Sequence, residues 1–169
     1  MSNSSWSQLW LKYERKAENK ESDFCRCYAI TGFDKKHPIV NNALAEWERG
    51  IKGMLNLDTT EADEKMLNTG LYIFLTADNE VKCGGYKISE NKGLLMLEAQ
   101  DESGVLYGIF HILRQIAQNK VLEGWNVLCN ASNPLRVFNH WDNMDGSIER
   151  GYSGKSFFFE DAKIIINER

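Results

Sequence analysis

Between Arg136 and Ser156 the chain reads RVFNHWDNMDGSIERGYSGKS, and most of the side chains able to do chemistry together lie here. Three acids, Asp142, Asp145 and Glu149, share one short stretch. A pair of carboxylates about 6.5–9.5 Å apart can hydrolyse a glycosidic bond with inversion, one as acid and one as base. Lone charged residues in a loop are more often solvated or act as caps. Trp141 offers a flat apolar face on which a sugar ring can stack, or it simply packs against the rest of the protein. Asn143 and Arg150 can hydrogen-bond hydroxyls, and the Arg150 fork suits a carboxylate because it pairs bidentately. The alternative for both is to hold the loop in shape, for example through an Arg150–Asp145 pair. His140 can orient a loop carboxylate through a ring nitrogen. The other histidines lie apart: His37 at a helix start, His111 beside an apolar stripe. With cysteines at 25, 27, 83 and 129 they complete no zinc-type ligand set, because Cys25-x-Cys27 is too tightly spaced.

Such residues need a frame. The chain has 169 residues, 43% of them hydrophobic and 11% aromatic, enough for a packed core. The net charge is -4 with no basic block, so a nucleic-acid footprint is missing. Residues 1–20 hold no apolar signal core, and no stretch is long enough to span a membrane, so a cytoplasmic setting is expected. Trp6, Leu9, Trp10, Tyr13 and Ala17 fall at helical spacing. Phe24 to Thr31 reads as a strand, which would put Cys25 and Cys27 on one face as small buried residues. His37-Pro38 opens a helix whose apolar face steps through Val40, Leu44, Trp47, Ile51 and Met54 to about Leu55. Thr60, with Asp63 and Glu64 after it, reads as the start of a short capped helix. Leu71 to Thr76 is a buried strand, and Tyr86–Ser89 with Leu94–Ala99 form a hairpin. Val105, Leu106, Ile109, Phe110, Ile112, Leu113 and Ile116 form the stripe of a second long helix, capped by Asp101 or Ser103. The fold class is therefore α+β: a small mixed sheet with both long helices packed on one face. After about Val121 the character changes, Asn130–Pro134 reads as a linker, and Leu135 onward starts as a strand and turns polar.

The run HWDN followed by DGSIERGY resembles the first barrel strand and loop of glycoside hydrolase family 67, the α-glucuronidases. DESGVLYGIFHILR, residues 101–114, is similar to the last helix of that family's N-terminal domain, and SQLWLKY is similar to its opening. The resemblance implies an N-terminal sandwich like that of the β-hexosaminidases over residues 1–130. It implies a linker and the start of a TIM-type barrel over 131–169, truncated, since a whole barrel needs roughly 250 residues. It further implies removal of 4-O-methyl-glucuronic acid from xylooligosaccharides with inversion, and no cofactor or metal. The family's tryptophan at the place of Trp141 lines the substrate pocket, with the catalytic acid and base on later strands, so that no catalytic residue lies in this chain; Asn143 and Arg150 stand beside Trp141 as substrate-binding candidates on their own chemistry.

Two classes of function follow. In one, the chain is the accessory part of a hydrolase, inactive alone, partnered by the missing barrel and, through it, by the substituted xylooligosaccharide. In the other, it is a carbohydrate-binding or assembly module with a groove beside Trp6, Trp10 and Trp125. A barrel fragment would expose apolar edge, so a homodimer is an expected state.

Overall fold

The computed structural model describes residues 13–16, 20–120, 122–133, 135–137, 139–156 and 158–165. These fall into two compact units, Tyr13–Pro134 and the stretch from Leu135.

In the first unit a 3-10 turn, Lys20–Cys25, leads into β1, Cys27–Thr31. Phe24 and Cys25 thus belong to the turn and not to the expected strand. Cys25 is buried while Cys27, on the strand, is only half-buried, so the two do not share a strand face. Helix α1 spans Pro38–Leu55, with Pro38 in the first turn, where its missing N–H costs nothing. It ends at Asn56, whose left-handed backbone (φ 57°) turns its N–H back onto Lys52. Thr60 does not cap a helix. Thr60–Glu61 is a short strand, β2, paired parallel to β1, and the cap belongs to Asp63, which accepts from Lys65 N–H at the 3-10 turn Glu64–Met66. Strand β3 is Gly70–Leu75; β4, Tyr86–Asn91, and β5, Leu94–Ala99, form the hairpin. Lys92 and Gly93 both have positive φ (52° and 88°), the backbone that a two-residue hairpin turn demands. Helix α2 is Glu102–Ala117, and Asp101 is its cap. A last strand, β6, Asn126–Cys129, has no counterpart among the elements expected from the sequence; it adds antiparallel to β4.

The sheet order is β2-β1-β3-β5-β4-β6, parallel from β2 through β5 and antiparallel beyond. Its strands alternate. Tyr28, Leu71, Ile73, Leu95, Leu97 and Ile88 are buried and join the apolar stripes of both helices in a single core. Full burial of each such side chain is worth about 1.5–3 kcal/mol, which outweighs the modest helix preferences of the β-branched residues used here. Where α1 meets α2, Gly50 leaves room for Leu113, since a Cβ there would lie 2.7 Å from its methyl carbon.

The expected N-terminal helix through Trp6, Leu9 and Trp10 lies outside the described residues. Its continuation, Tyr13–Lys16, is not helical. Instead Lys16 N–H donates to Met54 O (2.6 Å), and the Tyr13 hydroxyl donates to the buried Glu46 carboxylate, itself paired with Arg49. These two bonds tie the segment to α1. Among the described residues no helix is long and apolar enough to cross a membrane.

Candidate functional site

Among the described residues, the stretch from Leu135 holds no sheet of more than two strands. Leu135–Val137, expected to begin as a strand, forms none. Order comes from two isolated bridges, Asp142 to Ile148 and Ser147 to Lys155, and from a minimal hairpin of β7, Phe159–Glu160, and β8, Lys163–Ile164.

The loop between the bridges is held by its own polar groups. Asn143 O accepts from Gly146 N–H (3.0 Å) in a tight turn, with Gly146 at φ 86°. Asp145 accepts from Ser147 N–H (2.8 Å) and Ser147 Oγ–H (2.6 Å). Those two bonds, the hydroxyl's first, hold the Asp145 carboxyl below its ordinary pKa. Asn143 Nδ2 donates to Ser147 Oγ (2.9 Å) and to Glu149 O (2.6 Å). Glu149 accepts from Ser153 Oγ–H (3.2 Å), and a bond to Tyr152 pushes that phenol's pKa upward. Glu149 N–H donates to Trp141 O (2.7 Å), closing the loop onto the segment before it.

Asp142 is the most enclosed of the three acids, its side chain only 5% exposed. It accepts from Ser156 Oγ–H, and its other oxygen lies 3.9 Å from His140 Nδ1. Ser156 is 2% exposed and accepts from two backbone donors, Phe158 N–H and Phe159 N–H, both at 2.9 Å. His140 also meets Phe158 edge to face. Ser156 carries no obvious signal in the sequence. A serine in a polar, glycine-rich run reads as solvent-facing, and only the aromatic run behind it hints that it is covered.

Trp141, like His140 before it and Asn143 after it, is exposed to solvent. It is 63% exposed and, with Asn139, His140, Asp142, Ile148 and Glu149, lines an open cleft of about 200 Å³. Arg150 is exposed on the same loop. The suggested Arg150–Asp145 pair is not the bond that Asp145 makes; Ser147 takes that place. The remaining candidates lie in the first unit. His111 packs against Tyr86 and Trp125, with Tyr86 Oη 2.7 Å from Nδ1 and Gln115 Nε2 3.0 Å from Nε2. Trp125 is therefore part of the packed rim of the core, and Trp6 and Trp10 lie outside the described residues. The four cysteines are thiols and form no disulfide.

Comparison with known proteins is decisive for the family. Residues 9–112 match the glycosyl hydrolase family 67 N-terminus, and residues 115–169 match the middle domain of the same family. The chain belongs to glycosyl hydrolase family 67. Among its relatives, an α-glucuronidase of Hypocrea jecorina is 32% identical over 92% of this chain and 21% of its own length. A probable α-glucuronidase A of Aspergillus oryzae is 45% identical over 42% of this chain and 8% of its own. The α-glucuronidase A of Emericella nidulans is 40% identical over 47% of this chain and 10% of its own. The chain thus spans about a fifth or less of the length of these relatives. One solved structure, a GH138 enzyme targeting pectin rhamnogalacturonan II, is similar at a TM-score of 0.45 and 19% identity, over 60% of this chain and 11% of that one.

Proposed function

We propose that this chain is the N-terminal part of an α-glucuronidase that removes (4-O-methyl)-glucuronic acid from xylooligosaccharides by inverting hydrolysis. Residues 1–130 serve as the accessory domain, and residues 131–169 supply the linker and the first strand and loop of a (β/α)8 barrel. Leu135–Val137 becomes the first barrel strand once neighbouring strands flank it. The observation that carries the site is the exposure of Trp141 beside an open cleft, on a loop several of whose polar groups bond to one another. Trp141 is the stacking platform for the uronate ring. Arg150 takes the uronate carboxylate bidentately. Asn143 has its amide nitrogen committed to the loop through two bonds, so it meets the sugar only through Oδ1, accepting from a hydroxyl.

The three acids of the loop are positioned for structure. Asp142 is enclosed and bonded to Ser156, Asp145 is held by Ser147, and Glu149 by Ser153. A general acid or base must be within hydrogen-bond reach of the proton it moves. The acid and the base then come from later parts of the enzyme, and the setting is cytoplasmic.

The test is release of 4-O-methyl-glucuronic acid from a short aldouronic acid. The enzyme carrying this chain at its N-terminus turns over, and the 169-residue chain alone does not. Turnover by the 169 residues alone would overturn the division of labour. In the whole enzyme, R150A raises KM at least about tenfold, the loss expected when a charge-assisted bidentate contact is removed.

A further inference from the structure

We infer that Ser156 and Asp142 are positioning residues for the Trp141 platform: a covered clasp that fastens the far end of the loop to the residue next to Trp141. The inference rests on the reading of Trp141 as a sugar platform.

A serine hydroxyl has two acceptor sites and one proton. Both acceptor sites of Ser156 are filled by the N–H groups of Phe158 and Phe159 at 2.9 Å. Its proton therefore has one direction left, and that is where Asp142 Oδ2 stands. With Ser156 2% exposed, water does not compete for these bonds. Asp142 immediately follows Trp141 and pairs across the bridge with Ile148, while Trp141 O receives Glu149 N–H at 2.7 Å. Ser156 N–H ties the far end of the loop back as well, donating to Gly146 O at 2.8 Å. The backbone that carries the indole is thus held by the bridge on one side and, through Asp142, by Ser156, while the indole itself remains open to solvent.

The direction of the Ser156 bond also fixes what Asp142 can do. It must present a lone pair to Ser156, and its second oxygen faces His140 at 3.9 Å. Its role is to set where Trp141 lies rather than to exchange a proton with substrate.

The test is a set of variants in the whole enzyme: W141A, S156A, D142A, D142N and the double variant S156A/W141A, with kcat and KM measured on an aldouronic acid. Hydrogen exchange is followed over residues 141–160. The expectation is that S156A and D142A raise KM about tenfold with kcat within about threefold. D142N keeps a carbonyl acceptor for the Ser156 hydroxyl and recovers most of the loss. The double variant is no worse than W141A, because the clasp acts through the indole. S156A also speeds exchange at Phe158 and Phe159. An unchanged KM in S156A, beside a raised one in W141A, overturns the clasp and leaves the platform standing. Additive losses in the double variant overturn it as well, since the two would then act separately. An unchanged KM in W141A overturns the platform, and the clasp as a positioning device falls with it.

Discussion

Asp101 shows how much one carboxylate can organise. It accepts from Gly104 N–H (2.8 Å) as the cap of α2 and from Gly84 N–H (2.7 Å) in the preceding loop. Burial works against its charge, yet the bonds from Cys83, Gly104, Gly84 and Ser103 together outweigh burial and hold the carboxyl below its ordinary pKa. Because the folded value is depressed, the stability it contributes is complete above about pH 4 and is lost as pH falls through the folded value. D101A is expected to cost about 1–2 kcal/mol at neutral pH, read from urea unfolding, and to flatten the stability profile below about pH 4. His111 acts in a higher window. Burial, then the nearby charge of Arg114, lower its ring pKa below the usual 6.5. The neutral ring is thus favoured in the fold, and stability falls as pH drops from about 6.5 through the folded value. Unfolding midpoints measured at about pH 7 and about pH 5 should differ less in H111N than in the parent chain.

Among the elements, the helices were legible and the marginal strands were not. The four-three-four-three stepping from Val40 to Met54 requires no neighbour to be read, because one helix face fixes it, and all five residues are buried. The cap of α2 was legible for the same reason, as Asp101 and Gly104 are local. Strand β2 is only two residues long and exists because β1 lies beside it, so Thr60 gave the local signal of a helix start instead. Strand β6 likewise follows from its pairing with β4. In the loop, Trp141, Asn143 and Arg150 are candidates by their types, but that Asp142 is the enclosed acid depends on hydrogen bonds, and the bonding of Ser156 depends on Phe158 and Phe159 turning their N–H groups back onto it. Packing at α2 offers a direct test. A Cβ at Gly108 would collide with a methyl of Leu97 on β5. G108V should therefore destabilise the protein by about 1–3 kcal/mol, with a lowered melting midpoint and an unchanged far-ultraviolet helix signal at low temperature.

Across the molecule, apolar surface is unevenly spent. Among the described residues, seven of the ten large hydrophobic side chains left exposed lie from Leu135 onward, including Leu135, Val137 and Ile164 at 70–75%. The first unit buries its stripes in one core, whereas the second relies on loop hydrogen bonds. The 169-residue chain on its own should therefore self-associate as its concentration rises. Sedimentation velocity should show a growing fraction of larger species that L135S/V137S suppresses, and a concentration-independent monomer would count against it.

The family's two regions meet between Ile112 and Gln115, inside α2, yet the sheet is completed only by Asn126–Cys129. A chimera of two relatives spliced at that meeting point would cut a helix and pair one parent's β4 with the other's β6. Joined after Asn133, it would inherit every strand of the sheet from a single parent, so the workable seam for exchanging N-terminal parts lies some twenty residues later than the sequence families alone would place it.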